Sequence, residues 1–187
     1  MLKRTKIVSL LEADQPIEKV LVKGWVRTRR DAKDFSFIEL NDGSSLKNIQ
    51  IIANNNLSNY EEVKKITTGS SLAVTGALVE SKGGNQKYEI VAGEIEIYSL
   101  APDDFPLQKN TDEYLRTIAH LRPRTNKYGA AFRVRSELSF AIHKFFNDRG
   151  FRYVHTPIIT GSDCEGAGEM FQVTTLDLNN VPKLPDG

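Results

Sequence analysis

Five short apolar runs in the N-terminal half constrain the fold more than any other feature of this sequence. Each run is rich in Val, Ile and aromatic residues and is bounded by Gly, Asn or Asp, which is the pattern of β-strands. The predicted strands cover residues 20–29, 35–40, 49–53, 71–79 and 87–98. Asp42-Gly43 and Gly83-Gly84 separate successive runs, and both dipeptides predict tight turns with positive φ.

A single helical segment interrupts this series, between the third and fourth predicted strands. Ser58 stands at the position of an N-cap, Glu61 completes a capping box, and Gly69 lies just past the end. This order of elements is that of the oligonucleotide/oligosaccharide-binding (OB) fold, a five-stranded Greek-key barrel. Another small barrel or sandwich with an inserted helix has the same order. We therefore expect a β-rich α+β chain whose residues 1–100 form an OB-fold barrel.

Beyond the barrel, the sequence changes to a linker and then to helical periodicity. Residues 101–111 hold two prolines and two adjacent aspartates, which suit neither a helix nor a strand. Apolar spacing predicts a short helix at 112–119 and a long helix at 126–149, which Gly150 ends. Short strands are predicted at 151–155 and 171–175. Because about 75 residues make only a limited core, we expect residues 112–187 to be the truncated start of a larger domain.

Charge and cysteine content exclude several classes of protein. Lys plus Arg total 25 and Asp plus Glu total 24, so a net charge of +1 allows only a local nucleic-acid patch. A lone cysteine, Cys164, cannot form an internal disulfide, which favours a cytoplasmic protein. Cys164, His120, His143 and His155 show no metal-ligand spacing, and no apolar run is long enough for a membrane helix.

One cluster of residue types in the barrel suits single-stranded nucleic acid. Basic groups bind phosphates, aromatic rings stack on unpaired bases, and an amide reads a base edge. The cluster comprises Arg27, Arg29, Arg30, Lys33, Phe35, Phe37 and Gln50. Regular strand alternation places Arg27 and Arg29 on one face and begins to turn Arg30 away. The alternative is that Phe37 is a core residue and the arginines form a solvated edge; Trp25 is expected in the core.

Two further segments carry charges whose role stays open. Residues 114–136 hold six basic side chains and no acidic one, which suits either a phosphate contact or a helix face paired with acids elsewhere. They are Arg116, Arg122, Arg124, Lys127, Arg133 and Arg135. Farther on, Glu165 and Glu169 flank a Gly-Ala-Gly turn. Such carboxylates could clamp a ligand ammonium group on a mobile loop, or the segment could be an ordinary surface loop.

Several motifs, taken in order, resemble bacterial-type asparaginyl-tRNA synthetases. They are GWVRTRRD, FIEL, the Gln50 strand, AHLRPRTN and FRVRSELSFAIHKFFNDRGFRYVHTPIITGSDCEGAGEMFQVTTLDL. The resemblance runs from about residue 20 to residue 178. GWVRTRRD is shared with aspartyl enzymes, whereas AHLRPRTN followed by DCEGAGEMF is more specific to the asparaginyl family. The resemblance implies an anticodon-binding OB domain and the start of a class II catalytic domain, in which motif 1 adds a helix and an antiparallel strand.

The resemblance also assigns individual residues. Arg30, Phe37 and Gln50 match positions that recognise the middle anticodon base, a uridine: Phe37 would stack on it, and the other two would bond its edges. Arg29 is added to this anticodon-binding set from the basic cluster. Within motif 1, Pro157 is the marker proline, and Pro157 and Phe151 would belong to a homodimer interface. Glu165 would bind the α-ammonium group of the amino acid.

The family's reaction needs parts that lie downstream of these motifs. ATP and asparagine give asparaginyl-adenylate, and the asparaginyl group then passes to tRNA(Asn), with ATP and Mg²⁺ as the cofactors of the full-length ligase. Motifs 2 and 3, which bind ATP, are not in this sequence, so we expect the isolated chain to be inactive, with no catalytic or metal-binding residue of its own. The alternatives are an aspartyl-tRNA synthetase fragment and a stand-alone OB-fold RNA-binding module without catalysis.

Overall fold

A computed structural model describes residues 2–84, 86–102, 104–105, 111–161 and 171–185. The chain divides into two compact units, Met1–Glu137 and Leu138–Gly187, and α4 contributes to both. In chain order the elements are α1 (Ile7–Leu11), β1 (Ile17–Asp31), β2 (Phe35–Asn41), β3 (Ile49–Asn54), α2 (Tyr60–Val63), β4 (Ser71–Glu80), β5 (Tyr88–Ser99), α3 (Asp112–Thr117), a 3-10 helix (Arg122–Arg124) and α4 (Asn126–Asn147). None of the described helices combines the length and apolar character needed to cross a bilayer.

The first unit is built around a closed barrel with the strand order β1-β2-β3-β5-β4. All neighbouring strands are antiparallel except β3 and β5, which run parallel and close the barrel. α2 lies between β3 and β4 in the chain, as the sequence predicted. The OB-fold prediction is therefore confirmed, and each of the five predicted strands forms within a few residues of its expected bounds.

Alternating side chains of the strands fill the barrel. β2 and β3 each bury every second residue, among them Ile38, Leu40, Ile49 and Ile51, so their other residues face outward. This period-2 pattern is what one buried sheet face requires. It leaves one outer surface, formed by β1, β2 and β3, on which outward-facing side chains lie next to one another.

The short helix α1 packs into the core of the barrel and has no clear sequence signal. Its Ile7 and Leu10 side chains are fully buried. The carboxylate of Asp42, at the end of β2, accepts a hydrogen bond from the Ile7 amide at 3.0 Å, and the Ser44 hydroxyl accepts one from Val8 at 3.0 Å. Tertiary contacts therefore cap this helix, which is too short to show amphipathic periodicity.

Several local predictions around α2 and the turns are wrong. The N-cap of α2 is Asn59, not Ser58, and its side chain donates to the Ile95 carbonyl at 2.8 Å instead of capping the helix. The helix is also a single turn, and its Val63 side chain is buried in the barrel core. Positive φ occurs in the described part of the chain at Gly43, Gly69 and Gly150, so the turn at Gly83-Gly84 lacks the expected conformation.

The second unit begins inside α4 and ends that helix as predicted. Gly150, with φ of +86°, donates to the Asn147 carbonyl at 3.0 Å, and Phe151 donates to the Phe146 carbonyl at 3.2 Å. These two bonds form a Schellman motif, which needs a left-handed residue at the glycine position. α4 itself buries no side chain, so the predicted apolar face is uncovered: Leu138, Ile142 and Phe145 are each at least half exposed.

The strands predicted at residues 151–155 and 171–175 are not formed. A β-strand needs a neighbouring strand to pair its backbone groups, and β5 is the last strand in the described part of the chain. The motif 1 strand of the expected fold class is therefore absent from the described residues. The domain bounds predicted from the sequence, with a linker at 101–111, stay a prediction.

Candidate nucleic-acid interface

The outer surface of β1, β2 and β3 brings three of the predicted residues to one face. Arg30 lies directly opposite Phe37 across β1 and β2, with its guanidinium carbon 5.8 Å from the Phe37 ring centroid. Gln50 on β3 lies opposite Glu39 and is a diagonal neighbour of Phe37 on the same outer face. Phe37 is half-buried and Arg30 is exposed, so an aromatic ring, a cation and an amide are available to one ligand.

Phe35 supports the Phe37 ring from the same face. The two ring centroids are 4.9 Å apart with an interplanar angle of 89°, which is a favourable edge-to-face arrangement. Such a contact fixes the plane of a half-exposed ring. Phe37 is therefore not the core residue of the alternative interpretation: the buried residues of β2 are Ser36, Ile38 and Leu40.

A β-bulge in β1 reverses the predicted faces of the arginines. The pairing of β1 with β2 shifts register between Val26 and Thr28, so that one extra residue, Arg27, is inserted. Thr28 and Arg30 then face outward with Phe37, while Arg29 lies opposite the buried Ile38. The expectation that Arg30 turns away while Arg27 and Arg29 share one face assumed unbroken alternation, and it is wrong for Arg30, which lies opposite Phe37.

Arg27 and Arg29 each have a partner within the chain. Arg29 forms an ion pair with Asp31 at 3.1 Å. Arg27 donates to the backbone carbonyl of Arg124 and to the side-chain oxygen of Asn126 at 2.9 Å. Burial lowers the pKa of Arg27, and nearby Arg124 lowers it further, against the opposing effect of Glu39. Arg27 therefore fastens the start of α4 to the barrel, and the role of Arg29 in anticodon binding stays a prediction.

The Gln50 amide is held by a carboxylate that the sequence did not single out. Gln50 Nε2 donates to Glu89 Oε2 at 3.0 Å, where β3 and β5 pair in parallel. The Gln50 carbonyl oxygen has no hydrogen-bond partner within the described ranges. Because 39 residues separate Gln50 from Glu89, no local pattern in the sequence could have joined them.

The basic residues of the segment 114–136 are mostly engaged within the first unit. Arg124 lies over the Trp25 ring at 4.8 Å and Arg122 lies over the Tyr128 ring at 4.5 Å. Lys127 pairs with Asp112, and Arg133 donates to the Gly43 carbonyl. These contacts favour a structural role for the segment. Trp25 is 43% exposed under Arg124, so its expected place in the core is wrong.

The structure describes only some of the residues that were predicted to bind the amino acid or to form the dimer. Glu165, Glu169 and Cys164 lie outside the described residues. Phe151 and Pro157 belong to the second unit, and both are exposed. The described residues also include no group of three His, Cys, Asp or Glu side chains that could hold a metal ion.

Two family models match successive parts of the chain. One, described as "OB-fold nucleic acid binding domain", matches residues 20–98 and thus covers the barrel. The other, described as "tRNA synthetases class II (D, K and N)", matches residues 111–185.

Curated relatives and solved structures agree with these models. Asparagine–tRNA ligase of Oleidesulfovibrio alaskensis is 59% identical over 178 residues, which are 94% of this chain and 39% of the relative. The ligase of Acetivibrio thermocellus is 59% identical over 173 residues, 91% of this chain and 37% of the relative. Asparaginyl-tRNA synthetase from Pyrococcus horikoshii, complexed with asparaginyl-adenylate, has a TM-score of 0.81 at 25% identity, covering 93% of this chain and 41% of that one. The corresponding enzyme of Entamoeba histolytica, also with asparaginyl-adenylate, has a TM-score of 0.68 at 26% identity, covering 77% and 36%.

The chain spans about two fifths of the length of the curated relatives that it matches. Within that span, the barrel, the motifs of the second half and the high identity to the bacterial ligases all agree. The chain belongs to the asparaginyl-tRNA synthetase family.

Proposed function

We propose that this chain carries the anticodon-reading part of an asparagine–tRNA ligase. The observation that carries the proposal is the placement of Arg30, Phe37 and Gln50 on one outer face of the barrel. Phe37 stacks on the middle base of the asparagine anticodon, a uridine, while Arg30 and Gln50 bond its edges. Stacking on an aromatic side chain is worth about 1–3 kcal/mol per base, so Phe37 supplies a large part of the base-dependent affinity.

Binding of an anticodon stem-loop to the chain tests this proposal. At fixed salt, because phosphate contacts depend on salt, Phe37→Ala should weaken binding by about 5- to 150-fold, which corresponds to the loss of one stacked base. Arg30→Gln should also weaken binding and reduce the preference for the middle uridine.

A charge-matched control separates base reading from general electrostatics. Arg27→Gln removes the same charge three residues away, from a side chain that bonds to Arg124 and Asn126 instead of facing Phe37. It should leave the preference for the middle base unchanged. If Arg30→Gln and Arg27→Gln have equal effects, or if the middle base makes no difference, the barrel does not read the anticodon in this way.

We propose that the complete ligase makes asparaginyl-adenylate and transfers the asparaginyl group to tRNA(Asn). When bound, ATP would supply the adenylyl group of asparaginyl-adenylate, with pyrophosphate as the leaving group, and Mg²⁺ would shield the triphosphate. The described residues of this chain bring no metal-ligating cluster together, so they do not fit such a site. We therefore assign no step of adenylation to them. Glu165, outside the described residues, remains our candidate for the α-ammonium group.

The second unit supports a homodimer. α4 and the residues that follow it expose large apolar side chains, including Leu138, Ile142, Phe145 and Phe151. An exposed apolar patch of this kind marks an interaction surface, and motif 1 of the family implies a second copy of the chain as the partner. Sedimentation should show a dimer that Ile142→Asp disrupts, while the exposed control Glu137→Gln leaves it intact. A monomer at all concentrations would refute this part of the proposal.

The two alternatives have distinct signatures in the same assays. An aspartyl-type barrel would tolerate the third anticodon base of tRNA(Asp), whereas an asparaginyl barrel discriminates against it. A stand-alone RNA-binding module would bind the stem-loop in the same way but would have no longer parent with ligase activity. The identity of 59% to asparagine–tRNA ligases favours the asparaginyl assignment, and the single cysteine supports a cytoplasmic location.

A further inference from the structure

Glu89 is a buried acid that collects hydrogen bonds from three neutral side chains. The residue is only 5% exposed. Its Oε2 atom accepts from Gln50 Nε2 at 3.0 Å, Ser81 Oγ at 2.9 Å and Gln86 Nε2 at 3.3 Å. No ion pair neutralises it within the described part of the chain. Burial of an acidic group without a cation is costly, so hydrogen bonds alone hold this carboxylate beside the proposed binding face.

The carboxylate determines which end of the Gln50 amide faces the ligand. A carboxylate only accepts hydrogen bonds, whereas an amide has a donating NH₂ end and an accepting carbonyl end. The NH₂ end of Gln50 must therefore point to Glu89, and the carbonyl oxygen remains available at the outer face. Without Glu89, the amide could rotate by half a turn about its last bond at little cost and present a donor there.

This orientation suits one pyrimidine and opposes the other. Uracil offers a donor at N3–H between two accepting oxygens, whereas cytosine offers an accepting N3 beside a donating amino group. An accepting Gln50 carbonyl and a donor-only Arg30 guanidinium match uracil. Against cytosine, the same pair would set acceptor against acceptor and donor against donor. Sites that leave buried polar groups unpaired reject the wrong ligand strongly.

We propose that Glu89 is a positioning residue that locks the Gln50 amide with its carbonyl toward the base and thereby selects uridine over cytidine. The inference rests on the proposed function, because it assumes that Gln50 contacts the middle base. Glu89 itself acts through Gln50. Ser81 and Gln86 keep the carboxylate in place from the end of β4 and from the connection to β5.

The test is the ratio of affinities for two anticodon stem-loops that differ only in a middle U or C. Glu89→Gln is nearly isosteric, but its amide both donates and accepts, so it no longer dictates the orientation of Gln50. We expect Glu89→Gln to bind the U stem-loop within about threefold of wild type and to lose about tenfold or more of the U-over-C preference. Glu96→Gln, an exposed acid on the same strand, is the matched control and should keep the ratio.

Other outcomes separate this inference from the proposed function. An unchanged U-to-C ratio in a folded Glu89→Gln variant would overturn the inference, because Glu89 would then only support the barrel. A wild-type chain that does not distinguish U from C would overturn the proposed function, and this inference with it. If Glu89→Gln does not fold, Glu89→Asp keeps the carboxylate but is one methylene shorter, and it should lower the ratio in the same way.

A second readout does not depend on RNA at all. In the free chain, the Gln50 side-chain NH₂ protons should exchange slowly with solvent because they face a buried carboxylate. They should exchange faster in Glu89→Gln and unchanged in Glu96→Gln. Equal exchange in all three chains would refute the fixed orientation.

Discussion

Replacement of Gly76 by alanine tests the packing of the barrel most sharply. Gly76 lies in β4 opposite Ala92 of β5. A Cβ atom on Gly76 would sit 2.2 Å from the Val91 carbonyl oxygen and 3.0 Å from the Ala92 Cα atom. Both of these atoms belong to the backbone, so no side chain can rotate away to make room.

The size of the effect follows from how far the strands must separate. An ordinary carbon–oxygen contact needs about 1 Å more than this site offers, against a normal strand spacing of about 4.8 Å. Separating β4 from β5 by that amount breaks about two ladder hydrogen bonds, each worth about 1 kcal/mol. Some of the backbone polar groups that lose these bonds are then buried without a partner, which adds to the cost. Alanine recovers up to about 1 kcal/mol because it restricts the unfolded chain. We expect a net loss of about 3 kcal/mol in the free energy of unfolding, or about 12–24 °C in Tm for a barrel of about 100 residues.

Urea unfolding followed by tryptophan fluorescence measures this loss in the barrel alone. The sequence has one tryptophan, Trp25, and it lies in β1 opposite Ser71 of β4. Gly93→Ala is the matched control: Gly93 lies in the facing strand, and a Cβ there meets only the Thr75 carbonyl oxygen at 3.6 Å, an ordinary contact. If Gly76→Ala unfolds within about 1 kcal/mol of Gly93→Ala, the close approach of β4 and β5 is not what requires glycine.

Three further predictions concern other contacts. Burial would raise the pKa of Asp42, but hydrogen bonds from Ser44 and Ile7 outweigh it and lower the pKa; its contribution to stability is therefore complete above about pH 4 and is lost as the pH falls through the depressed folded value. Asp42→Asn should accordingly cost about 1–2 kcal/mol at pH 7, and its difference from wild type in urea titrations should shrink in acid. Arg27→Gln should speed amide hydrogen exchange in residues 122–129, which Arg27 fastens to the barrel, and no change there would refute the fastening role. Gly150→Ala should lower the stability of the end of α4 by about 1 kcal/mol, because the φ of Gly150 is +86°. Gly150→Asn should lower it by less, and amide hydrogen exchange at the end of α4 measures both effects.

The sequence predicts the strands of the barrel best where the alternation of residue types matches the alternation of buried and outward side chains. β2 and β3 alternate buried and outward side chains without interruption, so their bounds follow from the period. The period left open which way Phe37 faces, because the small polar Ser36, and not Phe37, shares the buried face with Ile38 and Leu40. α1 could not be predicted in this way, because Asp42 and Ser44 cap it from a distant turn.

The candidate site was predictable in composition but not in geometry. The sequence brings Arg30, Phe37 and Gln50 together through a family resemblance, but strand alternation turns Arg30 away from the face where it lies. The bulge at Arg27 shifts the alternation of β1 by one residue, so that Arg30 faces outward. This shift exists only in the pairing of β1 with β2 and cannot be read from β1 alone. Glu89 gave no signal, since its contact with Gln50 exists only through the topology of the closed barrel.

The parallel pairing of β3 with β5 also sets the order in which the chain can acquire selectivity. β1, β2 and β3 are joined by short connections, whereas the pairing of Gln50 with Glu89 closes a loop across a separation of 39 residues. Closing a flexible loop of that length costs about 3 kcal/mol in chain entropy, before any constant term, and contacts of high sequence separation form slowly. In a newly synthesised chain with only β1–β3 in place, Arg30 and Phe37 would be present without the Glu89 carboxylate that orients Gln50. If our proposals hold, such a chain would stack on a base before it could select one.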